Sequence, residues 1–147
     1  GFSELASKLN LDNEIIWVKG SYSERELAPW FLISTLLVYP GSVGLSLIHG
    51  MAYGLPVITH NDPLYQNPEF SALRNGFNGL TFNRGCVNDL SNTIEIAVNN
   101  SDFLTSLGSN ALALVEQKYT INNMAENFLS AILEVSDNKV TEKVVIK

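Results

Sequence analysis

The segment YPGSVGLSLIHGMAYGLPVITH, residues 39–60, constrains the fold of this chain more than any other stretch. Its apolar residues follow helical spacing over 44–53, and Gly54 suits a left-handed cap at the end of that helix. Apolar runs at 35–39 and 57–59 flank the helix and are typical of buried strands. The segment therefore predicts a strand, a helix and a strand joined by two tight turns.

The rest of the chain extends this alternation. Two more apolar runs, at 15–18 and 80–82, are typical of buried strands. Helices are predicted at 3–9, 23–33 (with a Ser23–Glu26 capping box), 69–74, 87–99 (capped by Asn88), 102–118 (Ser101) and 121–135 (Thr120). Strands that alternate with helices pair in parallel through right-handed crossovers. The prediction is an α/β fold with a Rossmann-like, doubly wound parallel sheet and C-terminal helices, with one domain over 1–135 and a tail over 136–147.

Composition excludes several classes of function. With 147 residues, of which 46% are hydrophobic, the chain can bury the core of one domain. A net charge of -6 with only 9 scattered Lys and Arg argues against binding nucleic acid, which needs clustered cations. The chain has no signal peptide pattern and no apolar run long enough to cross a bilayer, so a cytoplasmic location is expected. The single cysteine, Cys86, fits a reducing compartment and has no Cys-His motif around it.

The loop at 40–44 is a candidate anion site. In doubly wound sheets, ligands bind where strands end and helices begin, and the first N–H groups of a helix are unpaired at the positive end of its dipole. Gly41 and Gly44 would let a phosphate approach the backbone, and Ser42 or Ser46 could add a hydroxyl. A plain strand-to-helix turn explains the glycines equally well, and no dinucleotide fingerprint or phosphate-loop motif is present.

The two histidines flank the same predicted edge of the sheet. His49 lies one turn into the helix, where a core histidine and a polar group that faces the ligand are both compatible with the pattern. His60 ends the next strand and faces the same edge. No third ligand has suitable spacing, so no metal site is predicted.

Several ordered motifs carry a resemblance to a known family. They are YP, GLSLIHGMAYGLPVI, PEF and NGFNGLTF, followed by KYTINNMAENFLSAI near the end. At these spacings the chain, from about residue 2 to residue 135, resembles the C-terminal half of a glycosyltransferase family 4 enzyme of the GT-B fold.

The resemblance implies a function and a set of donor-binding residues. Members of this family transfer a sugar from a nucleotide diphosphate donor, of UDP or GDP type, with retention of configuration and without a bound metal or other cofactor. Carried over, the segment Ser42, Val43, Gly44, Leu45 and Ser46 would bind the donor diphosphate, mainly through its last three amides. The loop Lys19, Gly20 and Ser21 would lie near the nucleobase, and Glu69 matches the Pro-Glu segment of the family.

Two departures from the family pattern are present. The family signature has two glutamates separated by seven residues, and this chain has Gly41 and His49 at those positions. An imidazole can make one hydrogen bond to a ribose hydroxyl, but it lacks the paired acceptors of a carboxylate. This resembles a variant branch of the family that is linked to surface polysaccharide synthesis.

The family also implies parts that this sequence lacks. Gly1 is not an initiator Met, and the N-terminal domain that binds the acceptor, the first strand of the donor domain and the usual basic donor residues are absent. We therefore expect an active parent enzyme, with possible peripheral association with a membrane, and an inactive isolated fragment. The lost glutamates leave open a non-catalytic scaffold or regulatory subunit of a polysaccharide assembly complex. A 2-epimerase of the same fold is a weaker alternative, because few carboxylates other than Asp62 and Glu69 could act as acid and base.

Overall fold

The computed structural model describes residues 1–142, with side chains described as far as residue 136. The chain divides into two compact units, Gly1–Trp30 and a second that begins at Phe31. The helices are α1 (Phe2–Lys8), α2 (Glu24–Ile33), α3 (Leu45–Ala52), α4 (Val87–Val98), α5 (Ser101–Lys118) and α6 (Ile121–Glu142). The strands are β1 (Leu37–Val38), β2 (Val57–His60) and β3 (Gly79–Phe82), and two 3₁₀ segments cover Pro63–Tyr65 and Pro68–Ala72.

The three strands of the second unit form one parallel sheet in the order β1-β2-β3. Leu37 pairs with Val57, and Val57 pairs with Gly79. Helices connect the strands along the chain, as parallel pairing requires. The predicted α/β class with a parallel sheet and following helices is therefore confirmed.

Helices cover both faces of this sheet. Successive residues of a strand face opposite sides, so Val57 and Ile58 belong to different parts of the core. Val57 packs in a cluster with Leu47 and Met51 of α3. Ile58 packs in a second cluster with Ala97 of α4 and with Phe82. The sheet is thus the middle layer of the second unit.

Close packing holds α3 against the sheet. A Cβ added at Gly50 would lie 2.8 Å from a methyl group of Leu37 and 3.4 Å from one of Val57, so only glycine fits here without displacement of its neighbours. The helix ends in a Schellman motif: Gly54 has φ +70°, its N–H donates to Met51, and the Leu55 N–H donates to Gly50. The predicted role of Gly54 in the cap is confirmed.

The predicted strand at 15–18 is wrong. These residues form no ladder with any other segment of the described chain, and Ile16 and Trp17 are exposed by 74% and 59%. The run lies in the first unit, whereas all the described strands lie in the second. A strand requires a neighbouring backbone to pair with, and an apolar run alone does not supply one.

Several predicted element ends also change. The strand predicted at 35–39 pairs only over Leu37–Val38, whereas the strands predicted at 57–59 and 80–82 are confirmed within one residue. The last helix does not stop at 135 but continues to Glu142, so the predicted tail, 136–147, begins inside it, and residues 143–147 lie outside the described residues.

The predicted helix caps are partly correct. Thr120 caps α6, since its hydroxyl accepts the N–H of Asn123. Asn88 is the second residue of α4, and Ser101 is the first residue of α5. The N-caps are instead Cys86 and Asn100. Asn100 accepts the Phe103 N–H with its side chain, which explains why the helix begins after it.

The described contacts around Ser23 also differ from the predicted capping box. Glu26 accepts a hydrogen bond from the Ser21 hydroxyl, and the Ser23 N–H donates to that same hydroxyl. The Ser21 hydroxyl thus lies between the Ser23 N–H and the Glu26 carboxylate, which would bond directly in a capping box.

A substitution of Gly108 tests the packing beneath α3. A Cβ at Gly108 of α5 would overlap the carbonyl oxygen of Gly54. Alanine gains about 1 kcal/mol over glycine in a helix, but overpacking of this kind costs about 1–3 kcal/mol. We expect Gly108→Ala to lower the free energy of unfolding in urea, while Ser106→Ala at an exposed position of α5 changes it by less than about 0.5 kcal/mol. A Gly108→Ala chain that unfolds at a higher urea concentration would contradict the close contact.

Candidate functional site

The carboxyl ends of the three strands lie at one edge of the sheet, because the strands are parallel. The segments that follow them are 39–44 after β1, 61–67 after β2 and 83–86 after β3. Hydrogen bonds connect the last two, since the Asn61 N–H donates to Phe82 and the Asn61 amide donates to Asn83. This edge is where doubly wound folds bind ligands.

The 40–44 loop leads directly into α3. Gly44 is the N-cap of α3 and provides no side-chain cap, while the Leu47 N–H donates to the Gly44 carbonyl at 2.9 Å. Within the described residues, the N–H groups of Gly44, Leu45 and Ser46 donate to no protein acceptor. Leu45 and Ser46 are exposed. These amides therefore offer donors to an anion at the positive end of the helix dipole.

Side chains of β2 and of the segment after it hold this loop in place. The Val43 N–H donates to Oε1 of Gln66 at 2.7 Å, and the Asn67 amide donates to the carbonyl of Ser42 at 3.3 Å. The Thr59 hydroxyl donates to the Gly41 carbonyl at 3.3 Å. Val43 is fully buried, so it anchors the loop with both its side chain and its N–H.

Glu69 lies beside the N-terminus of α3. Its Oε2 is 3.8 Å from the position that a Cβ on Gly44 would take, and Nδ2 of Asn67 is 3.3 Å from the same position. A side chain at Gly44 would therefore press on both groups. A carboxylate near a helix N-terminus stabilises the helix, but it also repels an anion that binds there.

His49 packs within a group of three aromatic rings. Its ring centroid is 4.5 Å from that of Phe31 and 5.6 Å from that of Tyr53, and Phe31 and Tyr53 stack at 5.1 Å. Tyr53 lies four residues after His49, on the same side of the chain as it leaves α3. The imidazole therefore has a packing role, and it remains half-buried rather than enclosed.

His60 ends β2 and is almost fully buried, at 2% exposure. Its Nδ1 accepts the N–H of Asp62 at 3.3 Å, and its carbonyl accepts a hydrogen bond from the Gln66 amide at 2.8 Å. The Nδ1 bond places the ring proton on Nε2 when the ring is neutral. His60 thus has a structural role at this edge of the sheet, where its carbonyl is bonded to the Gln66 side chain.

Arg84 is a cation at the same edge, two residues after the end of β3. Its guanidinium lies 3.4 Å from the centroid of the Tyr65 ring and 3.7 Å from the Asp62 carboxylate. About half of its side chain is exposed. The charge of Arg84 is therefore already paired in part, which reduces what it offers to a ligand.

The second unit holds nine of the predicted site residues. Seven predicted residues form the loop and the first turns of α3, and His60 and Glu69 flank them; the seven are Gly41, Ser42, Val43, Gly44, Leu45, Ser46 and His49. Lys19, Gly20 and Ser21 belong to the first unit, where Ser21 bonds to Glu26. A cavity of about 530 Å³ borders Leu45 and Glu69, with Tyr119, Met124 and Phe128 on its other walls.

Sequence reasoning missed Thr59, Gln66, Asn67 and Arg84. Only the strand ends gave a usable signal: Thr59 lies within the predicted strand 57–59, and Arg84 follows the predicted strand 80–82 by two residues. Gln66 and Asn67 lie in a loop defined by composition alone. Among residues 1–136, whose side chains are described, no group of three or more His, Cys, Asp and Glu could hold a metal. No helix of the described residues is both long and apolar enough for a bilayer span.

The chain matches a known protein family over most of its length. Residues 1–113 match the model of the family described as glycosyl transferases group 1. A search of curated proteins found no significant match.

Solved structures share the fold. Sucrose-phosphate synthase from Thermosynechococcus elongatus matches with a TM-score of 0.77 and 21% identity, over 93% of this chain and 34% of that protein. HepE from Anabaena, solved in complex with UDP, matches with a TM-score of 0.77 and 16% identity, over 90% of this chain and 36% of HepE. The C-terminal domain of LpcC from Francisella tularensis matches with a TM-score of 0.68 and 20% identity, over 81% of this chain and 60% of that one. The chain thus spans about a third of the length of the first two proteins.

Proposed function

We propose, since the chain belongs to the glycosyl transferases group 1 family, that it forms the donor-binding half of a retaining glycosyltransferase. The family match and the neighbouring structures support sugar transfer by the whole protein, with the Rossmann-like fold of a GT-B C-terminal half. The observation that carries the donor site is the set of open N–H groups at Gly44, Leu45 and Ser46. A nucleotide diphosphate is the ligand that suits such donors at a helix N-terminus.

The chemistry that these amides can supply is electrostatic. When a sugar leaves its nucleotide, negative charge develops on the diphosphate, and fixed N–H donors stabilise that charge without reorganisation. The carboxylate of Glu69 would repel the diphosphate. We therefore assign Glu69 to the sugar side of the donor, where its oxygens can accept hydrogen bonds from hydroxyl groups. The acceptor and the remaining catalytic groups belong to the rest of the protein, and we propose that this chain alone transfers no sugar.

The finer assignments rest on the resemblance to family 4. HepE has been solved with UDP and with UDP-glucose, which favours a UDP-type donor for this chain. We propose that Lys19, Gly20 and Ser21 lie near the base, that Gly41 and His49 mark a variant branch, and that the parent acts in surface polysaccharide synthesis in the cytoplasm. Peripheral association with a membrane is part of the same proposal.

Removal of one amide hydrogen tests the donor site directly. Leu45 is the first residue of α3, where proline fits the helix and no intrahelical bond is lost. A hydrogen bond to a charged group contributes about 1.5–3 kcal/mol, so we expect Leu45→Pro to weaken UDP binding about tenfold or more. The affinity is measured by NMR titration of the amides of Gly44 and Ser46 with millimolar UDP and with GDP for comparison.

Two controls separate the N–H from other effects of the substitution. Ser101→Pro makes the same change at the first residue of α5, and it should leave UDP binding within about twofold. Leu45→Ala keeps the N–H, so it is expected to bind UDP more tightly than Leu45→Pro. Equal affinities of Leu45→Pro and the unaltered chain, or no shifts at Gly44 and Ser46 in that chain, would refute diphosphate binding at α3.

A second candidate function is a non-catalytic scaffold or regulatory subunit. It is favoured by Gly41, which has no carboxylate, and by the packing of His49 on Phe31 and Tyr53, which gives the imidazole a role without a ligand. The two candidates differ in whether His49 contacts the ribose of a donor.

A substitution that preserves the ring separates these candidates. His49→Phe keeps an aromatic ring between Phe31 and Tyr53 but removes both nitrogens. If His49 bonds the ribose, His49→Phe should weaken UDP binding about threefold to tenfold, the usual value of one neutral hydrogen bond. The unaltered chain should bind 2′-deoxy-UDP or 3′-deoxy-UDP more weakly than UDP by a similar factor. His49→Phe should bind that same analogue as tightly as it binds UDP. Unchanged UDP binding by His49→Phe would exclude a contact between His49 and the ribose.

A further inference from the structure

The side-chain amide of Gln66 is fully engaged behind the 40–44 loop. Oε1 accepts the Val43 N–H at 2.7 Å. Nε2 donates to the Thr59 hydroxyl at 2.9 Å and to the carbonyl of His60 at 2.8 Å. Both hydrogens of the amide and its oxygen therefore have partners, and Gln66 itself is half-buried.

These partners allow only one orientation of the amide. Rotation by about 180° would bring Nε2 against the Val43 N–H, which is a donor, and Oε1 against the His60 carbonyl, which is an acceptor. The Val43 N–H consequently donates to Gln66 and is not available to a ligand.

Thr59 extends the effect of Gln66 to the start of the loop. Its hydroxyl accepts from Gln66 and donates to the carbonyl of Gly41 at 3.3 Å. The Ser42 carbonyl is held by Asn67 at 3.3 Å. Two carbonyl oxygens that would repel a phosphate are thus bonded to side chains, while the amides of Gly44 and the first turn of α3 stay open.

We propose that Gln66 is a positioning residue for the donor diphosphate. It contacts no donor atom itself; it fixes which backbone groups of the 40–44 loop face the ligand. This inference rests on the proposed function, because it assigns the organisation of the same diphosphate site.

Gln66→Met tests the proposal with a side chain of similar size and no amide. We expect it to weaken UDP binding about tenfold while it changes uridine binding by less than twofold, because only the diphosphate meets the loop. The Val43 amide should also exchange its hydrogen faster in the ligand-free protein. Gln117→Met makes the same change at the other glutamine of the chain, which is exposed on α5, and should alter neither affinity.

The outcomes distinguish this inference from the proposed function. Tighter binding of UDP than of uridine by the unaltered chain, with that preference lost in Gln66→Met, supports both. An unchanged preference in Gln66→Met, or an equal loss for UDP and uridine, overturns the role of Gln66 and leaves the donor site in place. Equal binding of UDP and uridine by the unaltered chain overturns the donor site and this inference with it.

A second variant covers a failure of Gln66→Met to fold, judged by its thermal melt. Thr59→Val keeps the volume of a buried side chain and removes the bonds to Gln66 and Gly41. The same preference for UDP over uridine is then measured. A drop of about threefold or more supports the positioning role, and an unchanged preference overturns it.

Discussion

The packing of α3 against β1 and β2 is the contact on which the rest of the second unit depends. Gly50 lets the helix approach Leu37 and Val57 closely, and the turn at Gly54 returns the chain into β2. Because β1 and β2 are parallel, the helix must begin at the carboxyl edge of the sheet and end at the opposite edge. The open amides of α3 therefore lie at the edge where this class of fold binds ligands.

The charges around that edge decide what the site can bind. The amides of α3 attract an anion, Glu69 repels it, and Arg84 is partly paired with Asp62. In the described part of the second unit, a diphosphate is therefore attracted by Lys118, which lines the same cavity as Leu45 and Glu69, and by the oriented backbone dipoles of α3. Such an attraction depends on geometry, since an amide that turns away contributes nothing. The bonds of Gln66 and Asn67 to the 40–44 loop supply this geometry.

Local sequence patterns predicted those helices, caps and strands that depend on residues close together in the chain. The helix around Leu47 and Met51, the cap at Gly54 and the strand from Val57 follow from spacing and from glycine chemistry within a few residues. The strand at 15–18 failed because pairing requires a partner that no local pattern reveals. The loop support was missed for the same reason: Gln66 lies 23 residues from Val43 in the chain, and a glutamine in a polar loop has no signature of such a bond. The rings around His49 likewise join residues that are distant in sequence, Phe31 and His49.

We propose that the N-terminus of α3 receives the diphosphate of a nucleotide sugar donor. A crystal structure of this chain with UDP tests it most directly. We expect diphosphate oxygens at about 2.7–3.2 Å from the backbone nitrogens of Leu45 and Ser46, the ordinary length of such hydrogen bonds. The Val43 N–H should remain bonded to Gln66 in that complex. UDP bound elsewhere, with the amides of Leu45 and Ser46 still open to solvent, would contradict the claim.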